Sequence, residues 1–135
     1  MKAYKRIFLI FFLSLCAAAS HATTLAVHLV ELTPAGNSSP ALAPYVGSLR
    51  RFHDGAFELR ERQNVTLPAQ GRVALQAGLH LSLSGNEQAL RVTVGSTQQT
   101  LMNTQLRFAP GVPVTLGPFD HGGRRYVLIL VTDSP

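Results

Sequence analysis

From Leu25 to Leu32 the apolar residues do not keep to one parity. Leu25, Val27 and Leu29 take one set of alternate positions, Ala26, Val30 and Leu32 take the other, and only His28 interrupts them. Such a run predicts a strand covered on both faces, with His28 as a hydrogen-bonded core residue. Thr33 to Pro40 is rich in Pro, Gly, Ser and Asn and reads as a loop. Pro44 is suited to open a short helix, whose first turn has no use for the missing N–H, and Asp54-Gly55 to close it. Tyr45, Val46, Leu49 and Phe52 then line one side, and Arg50 and Arg51 face away at the end favoured by cations.

From Ala56 the period changes to two. Phe57, Leu59, Val65 and Leu67 share one parity, interrupted by Glu61 and Gln63, while Glu58, Arg60, Arg62 and Asn64 take the other, as in a strand with one wet face. Pro68 to Gly71 reads as a turn. Val73, Leu75, Ala77, Leu79, Leu81 and Leu83 continue a single parity across Gly78, which either bends one strand or divides it. Gly85-Asn86 supplies a turn before the alternating Leu90, Val92 and Val94, and Leu101 to Phe108 is a further strand. Pro110 to Pro113 interrupts before Val114 to Leu116, a position suited to an edge. Asp120 to Gly123 has hairpin composition, and Tyr126 to Val131 reads as a central strand. The pattern predicts a mainly β (α+β) fold: a small antiparallel β-sandwich or partly open barrel of about seven strands, with one short helix between the first and second strands.

The N-terminus modifies this picture. Lys2, Lys5 and Arg6 precede an apolar run from Ile7 to Ala19, too short to span a bilayer but of the length of a signal-peptide core. Small residues around Ser20-His21-Ala22 predict cleavage after Ala22, so residues 1–22 are read as a signal peptide and 23–135 as one β-rich periplasmic domain. Lipid anchoring at Cys16 is not expected, because bulky Leu15 precedes it where a lipobox requires Gly, Ala or Ser. Without Cys16, the single cysteine, the product has no thiol for disulfides, nucleophilic catalysis or thiolate metal sites. Its basic residues are then nine arginines and no lysine, against seven acids. That near balance gives no reason to expect a nucleic-acid partner. No later apolar run is long enough to cross a membrane as a helix.

Chemistry is sparse. His53-Asp54 and Asp120-His121 are the acid–imidazole neighbours, and no nucleophile elbow, phosphate-cradling glycine motif or paired-histidine metal motif is present. No catalytic residue, cofactor or metal site is therefore expected. The suggestive features are Arg60 and Arg62, read as sharing one strand face, and Arg91 and Arg107, alternating with apolar neighbours. Arginine forks grip carboxylate or phosphate, so an anionic envelope component is a candidate ligand. Leu101 to Leu116 is a candidate edge, where Asn103, Thr104 and Gln105 offer a polar stretch for an envelope protein to dock against.

Pro110-Gly111-Val112-Pro113-Val114-Thr115-Leu116-Gly117, followed by Arg124 to Thr132, resembles the closing hairpin of bacterial secretins, with Gly117-Pro118-Phe119 in place of the usual Gly-Gly-Leu. The resemblance implies association with envelope machinery for secretion or pilus assembly, and no site residue is carried over from it. The expectation is an exported, non-catalytic binding or assembly accessory of the bacterial cell envelope. The alternative is a small periplasmic hydrolase or metal-binding protein that uses His53, Asp54, Asp120 or His121.

Overall fold

The structure, a computed structural model, describes residues 23–133. The expected signal peptide and Cys16 lie outside the described residues. Strand β1 (Thr23–Thr33) is followed by a 3-10 turn (Pro40–Tyr45), the short helix α1 (Val46–Leu49) and β2 (Ala56–Leu67). Next come β3 (Ala69–Ala74), β4 (Leu79–Asn86), β5 (Ala89–Ser96), β6 (Thr100–Leu106), β7 (Val114–His121) and β8 (Arg124–Thr132). Two four-stranded antiparallel sheets result, ordered β2-β1-β8-β7 and β3-β4-β5-β6. The architecture is a β-sandwich of eight strands with a short helix between β1 and β2, and not a closed barrel.

The eighth strand comes from the long parity run after Pro68. Ala77 and Gly78 both adopt the left-handed backbone, at φ 63 and 76, and the Leu75 N–H donates to the Leu79 carbonyl at 2.9 Å. The run is thus divided into β3 and β4. Its Pro68–Gly71 turn contracts to the passage between sheets, because Ala69, Gln70 and Gly71 already pair with β4. The Gly85-Asn86 turn moves forward by two residues, to Glu87-Gln88: the Asn86 carboxamide oxygen accepts from the amides of Gln88 and Ala89 at 3.0 and 3.1 Å. At the last hairpin, Gly122 and Gly123 both have positive φ, as a two-residue turn matched to strand twist requires.

The strands apolar on both faces, β1 and β8, lie side by side in the middle of the first sheet. One face packs into the inter-sheet core: Leu25, Val27, Leu29, Leu128 and Leu130 meet Leu81, Leu83, Leu90, Val92 and Val94. The other face, carrying Val30, Leu32, Val127 and Ile129 with Phe57 of β2, is covered by Leu42 and Leu49. The cover starts earlier than the helix expected from Pro44. Pro40 opens a 3-10 turn, and Pro44 sits inside it. Ser38 and Ser39 tie this segment down, their hydroxyls accepting from the amides of Phe57 and Leu59 at 3.1 and 2.9 Å.

His28 lies on the covered face, buried, with Nδ1 donating to the Ile129 carbonyl at 3.4 Å and its ring 5.4 Å from that of Tyr45. Burial above all pushes its pKa below the ordinary histidine value; the bond to Ile129 opposes this and the charge of Arg62 adds to it. The folded state therefore binds this proton less readily than the unfolded chain. Stability is expected to fall as pH drops through about 6.5, where unfolded histidine gains its proton, until the lower folded pKa is passed. Urea unfolding at about pH 7.5 and about pH 5.5 should show a smaller loss in His28→Gln than in the parent. An equal loss would mean that His28 is not the group responsible.

Candidate functional site

The structure divides the six candidate binding residues Arg60, Arg62, Arg91, Arg107, Asn103 and Gln105 between two places. In β1–β2 pairing, Leu29 faces Glu61 and Val30 faces Leu59, leaving Arg60 as the extra residue of a β-bulge. Arg62 pairs with His28 and shares its face, on the helix side of the sheet. Arg60 instead turns to Glu31, whose parity is that of Leu25, Val27 and Leu29. Arg60 and Arg62 thus do not share a strand face. Strict alternation fails here because Arg60 is itself the extra residue of the bulge.

Arg60 belongs to an ion cluster closing one end of the sandwich. The buried carboxylate of Glu31 accepts from Arg60 Nε and Nη2 at 2.8 and 2.7 Å and from Arg124 Nη1 at 3.2 Å. Hydrogen bonding to Glu31, opposed by burial and aided by the charges of Glu31 and Glu58, raises the Arg60 pKa. Beside the cluster is a cavity of about 100 Å³ lined by Leu29, Arg60, Gln76, Ala77, Arg124 and Tyr126. Glu61 accepts the Gln76 amide at 2.7 Å, and His121 Nε2 donates to the Ala77 carbonyl at 2.7 Å. These bonds hold Ala77 in its strained left-handed conformation. The cations here are already matched by carboxylates of their own sheet, and the Glu61–Gln76 and His121–Ala77 bonds join that sheet to the segment between β3 and β4.

The remaining four residues come together. Arg91 pairs with Gln105 and Thr93 with Asn103, so the side chains of Arg91, Asn103 and Gln105 stand with Thr93 on the outer face of the second sheet. Arg107 follows β6 between Leu106 and buried Phe108, and is exposed, as are Arg91, Asn103 and Gln105. Arg107 lies one residue past the end of the β5–β6 ladder and two positions beyond Gln105, the partner of Arg91. No Asp or Glu occurs in the four strands of this sheet. Among the described residues, every ion pair is made by Arg60, Arg124 or Arg125, and none by Arg72, Arg91 or Arg107.

β6 also differs from the other edge strands. An open edge offers unpaired backbone groups, and proteins blunt it with charge, proline, bulges or cover. β2 has a bulge at Arg60, three further charged residues and the Ser38–Ser39 segment against its amides. β3 is short, carries Arg72, and has Gln63 Nε2 donating to its Ala74 carbonyl at 2.9 Å. β7 skips register at Gly117-Pro118 and carries Asp120. β6, from Thr100 to Leu106, contains no charge and no proline, and after the register shift opposite Gly95 it pairs regularly from Met102 onward.

The acid–imidazole pairs do not assemble into a pocket. His53 donates to the Thr33 carbonyl and packs edge-on against Phe57, Asp120 accepts from Arg125 at 3.0 Å, and His121 serves Ala77. Among the described residues no three His, Cys, Asp or Glu side chains are grouped to hold a metal ion, and no helix is long and apolar enough to cross a membrane. The chain matches no family model, and no curated protein or solved structure is significantly similar to it.

Proposed function

We propose that this chain is an exported, non-catalytic binding or assembly accessory of the bacterial cell envelope, and that it engages an envelope protein by accepting an extended segment on the β6 edge. The observation that carries this reading is the contrast among the edges: three carry charged residues, whereas β6 carries none and, past a bulge at Leu101 near its start, pairs without interruption from Met102 to Leu106. A strand added there pairs with backbone groups at little cost in sequence restriction, and its side chains fall beside Asn103 and Gln105. The secretin-like pattern of β7 and β8 supports an envelope setting, as does the export signal read in residues 1–22.

Thr104 shares the inward parity of Met102 and Leu106, so Thr104→Lys places an inward-pointing charge on this edge, a device that blocks edge pairing. A photo-crosslinking residue at position 105, introduced in bacterial cells, should capture one defined envelope protein, and Thr104→Lys in the same chain should abolish that capture. The same probe at exposed position 47 should not capture it. Unchanged capture by a folded Thr104→Lys protein would overturn the edge as the binding site. Intact-mass measurement of the exported product should show Thr23 at its N-terminus, whereas a diacylated Cys16 would replace a released protein by an anchored one.

A further inference from the structure

We infer that the segment accepted by β6 is acidic, with carboxylates at the alternate positions that share the outer face of the sheet, and that Arg91 and Arg107 read them. The inference rests on the β6 reading above and adds the chemistry of the occupant. Four observations support it. Strands of the second sheet contain Arg72 and Arg91 but no acid, whereas the first sheet holds Glu31, Glu58, Glu61 and Asp120 among its own arginines. Arg91 lies directly beside Gln105, and Arg107 is two positions further along the β6 parity. Neither guanidinium has a carboxylate within 4.0 Å among the described residues. Glu87, in the β4–β5 turn, meets Phe108 through its backbone carbonyl and leaves Arg107 and Arg91 unpaired.

Geometry turns this charge asymmetry into a pattern. A strand added to β6 lies about 5 Å beyond it, and every second side chain of that strand stands in the outer rows. Its carboxylates then fall next to Gln105 and Arg107, with Arg91 reaching across from one strand further in. Lysines at the same positions meet two unpaired cations, so the edge discriminates by repulsion as well as attraction. Arg72, at the far side of the sheet, adds to the field without touching the segment.

The test uses the folded chain from Thr23 onward and seven-residue capped peptides that alternate Val with Glu, Gln or Lys, measured by calorimetry or fluorescence anisotropy at low salt. The Glu peptide should bind about fivefold more tightly than the Gln peptide, the sum expected of two exposed ion pairs, and the Lys peptide least. The preference for Glu should shrink at about 0.5 M salt. Arg91→Gln combined with Arg107→Gln should erase it while binding of the Gln peptide stays the same. Equal binding of the Glu and Gln peptides would overturn the acidic partner and leave the edge reading standing. Binding of all three peptides that persists undiminished in Thr104→Lys, or no binding of any, would overturn the edge reading itself. Circular dichroism of each variant separates either outcome from a failure to fold.

Discussion

Phe57→Ala is expected to lower stability by about 3–4 kcal/mol, enough to move the thermal midpoint down by more than about 10 °C. Phe57 is completely buried at the start of β2, on the face of the first sheet turned away from the second. Its ring holds together a small layer: Val30 and Leu32 of β1, Val127 and Ile129 of β8, and Leu42 and Leu49 from above. Those covering residues belong to a 3-10 turn of six residues and a helix of four, too short to be stable without the surface they pack on. Truncation therefore opens a cavity and also removes the platform on which the cover rests.

The loss should be local before it is global. Amides of Arg50 and Phe52, bonded within the covering segment, and of Leu59, bonded to Ser39, should lose exchange protection in Phe57→Ala under conditions where β4 and β5 remain protected. Leu81, equally buried but between the two sheets, provides the contrast: Leu81→Ala should cost about 2–4 kcal/mol and loosen both sheets together. A Phe57→Ala cost below about 1 kcal/mol would mean that the layer over the first sheet is not part of the cooperative core.

Legibility in the sequence followed the physics of each element. Strands β1 and β8 could be read as buried on both faces because two separate cores claim their opposite sides, and this left an apolar residue at nearly every position. The outward placement of Arg91, Asn103 and Gln105 was readable for the opposite reason, since plain alternation holds from Leu90 to Val94 and from Met102 to Leu106. Arg60 and Arg62 were misplaced relative to each other because a bulge is invisible to parity counting. The pairing of β1 to β8 brings Arg124 near Glu31 from 93 residues away, a proximity that spacing along the chain does not encode. One signal for Glu31 was present: it continues the parity of Leu25, Val27 and Leu29, so an acid was directed toward the interior and needed a cation there.

Removing that acid gives the second large effect. Glu31→Ala is expected to cost about 2 kcal/mol, because it leaves the Arg60 and Arg124 guanidiniums converging on a site where the half-exposed Glu58 carboxylate, 3.4 Å from Arg60, is the remaining countercharge. The cost stays below that of a broken fully buried pair, since the Arg60 side chain is 32% exposed and that of Arg124 57%, and both can turn toward water. Glu31→Gln, which keeps an acceptor oxygen but no charge, should lose about half as much. Arg124→Ala should cost no more than about 0.5 kcal/mol, because Arg60 still satisfies the buried carboxylate with two hydrogen-bonding nitrogens. In a double-mutant cycle, Glu31→Ala with Arg60→Ala should destabilise by at least about 1 kcal/mol less than the sum of the single changes. Raising salt to about 0.5 M should restore part of the Glu31→Ala loss by screening the two like charges. Additive single changes with no salt effect would place the stabilisation in packing of the arginine stems, and the end of the sandwich would then be held by apolar contact.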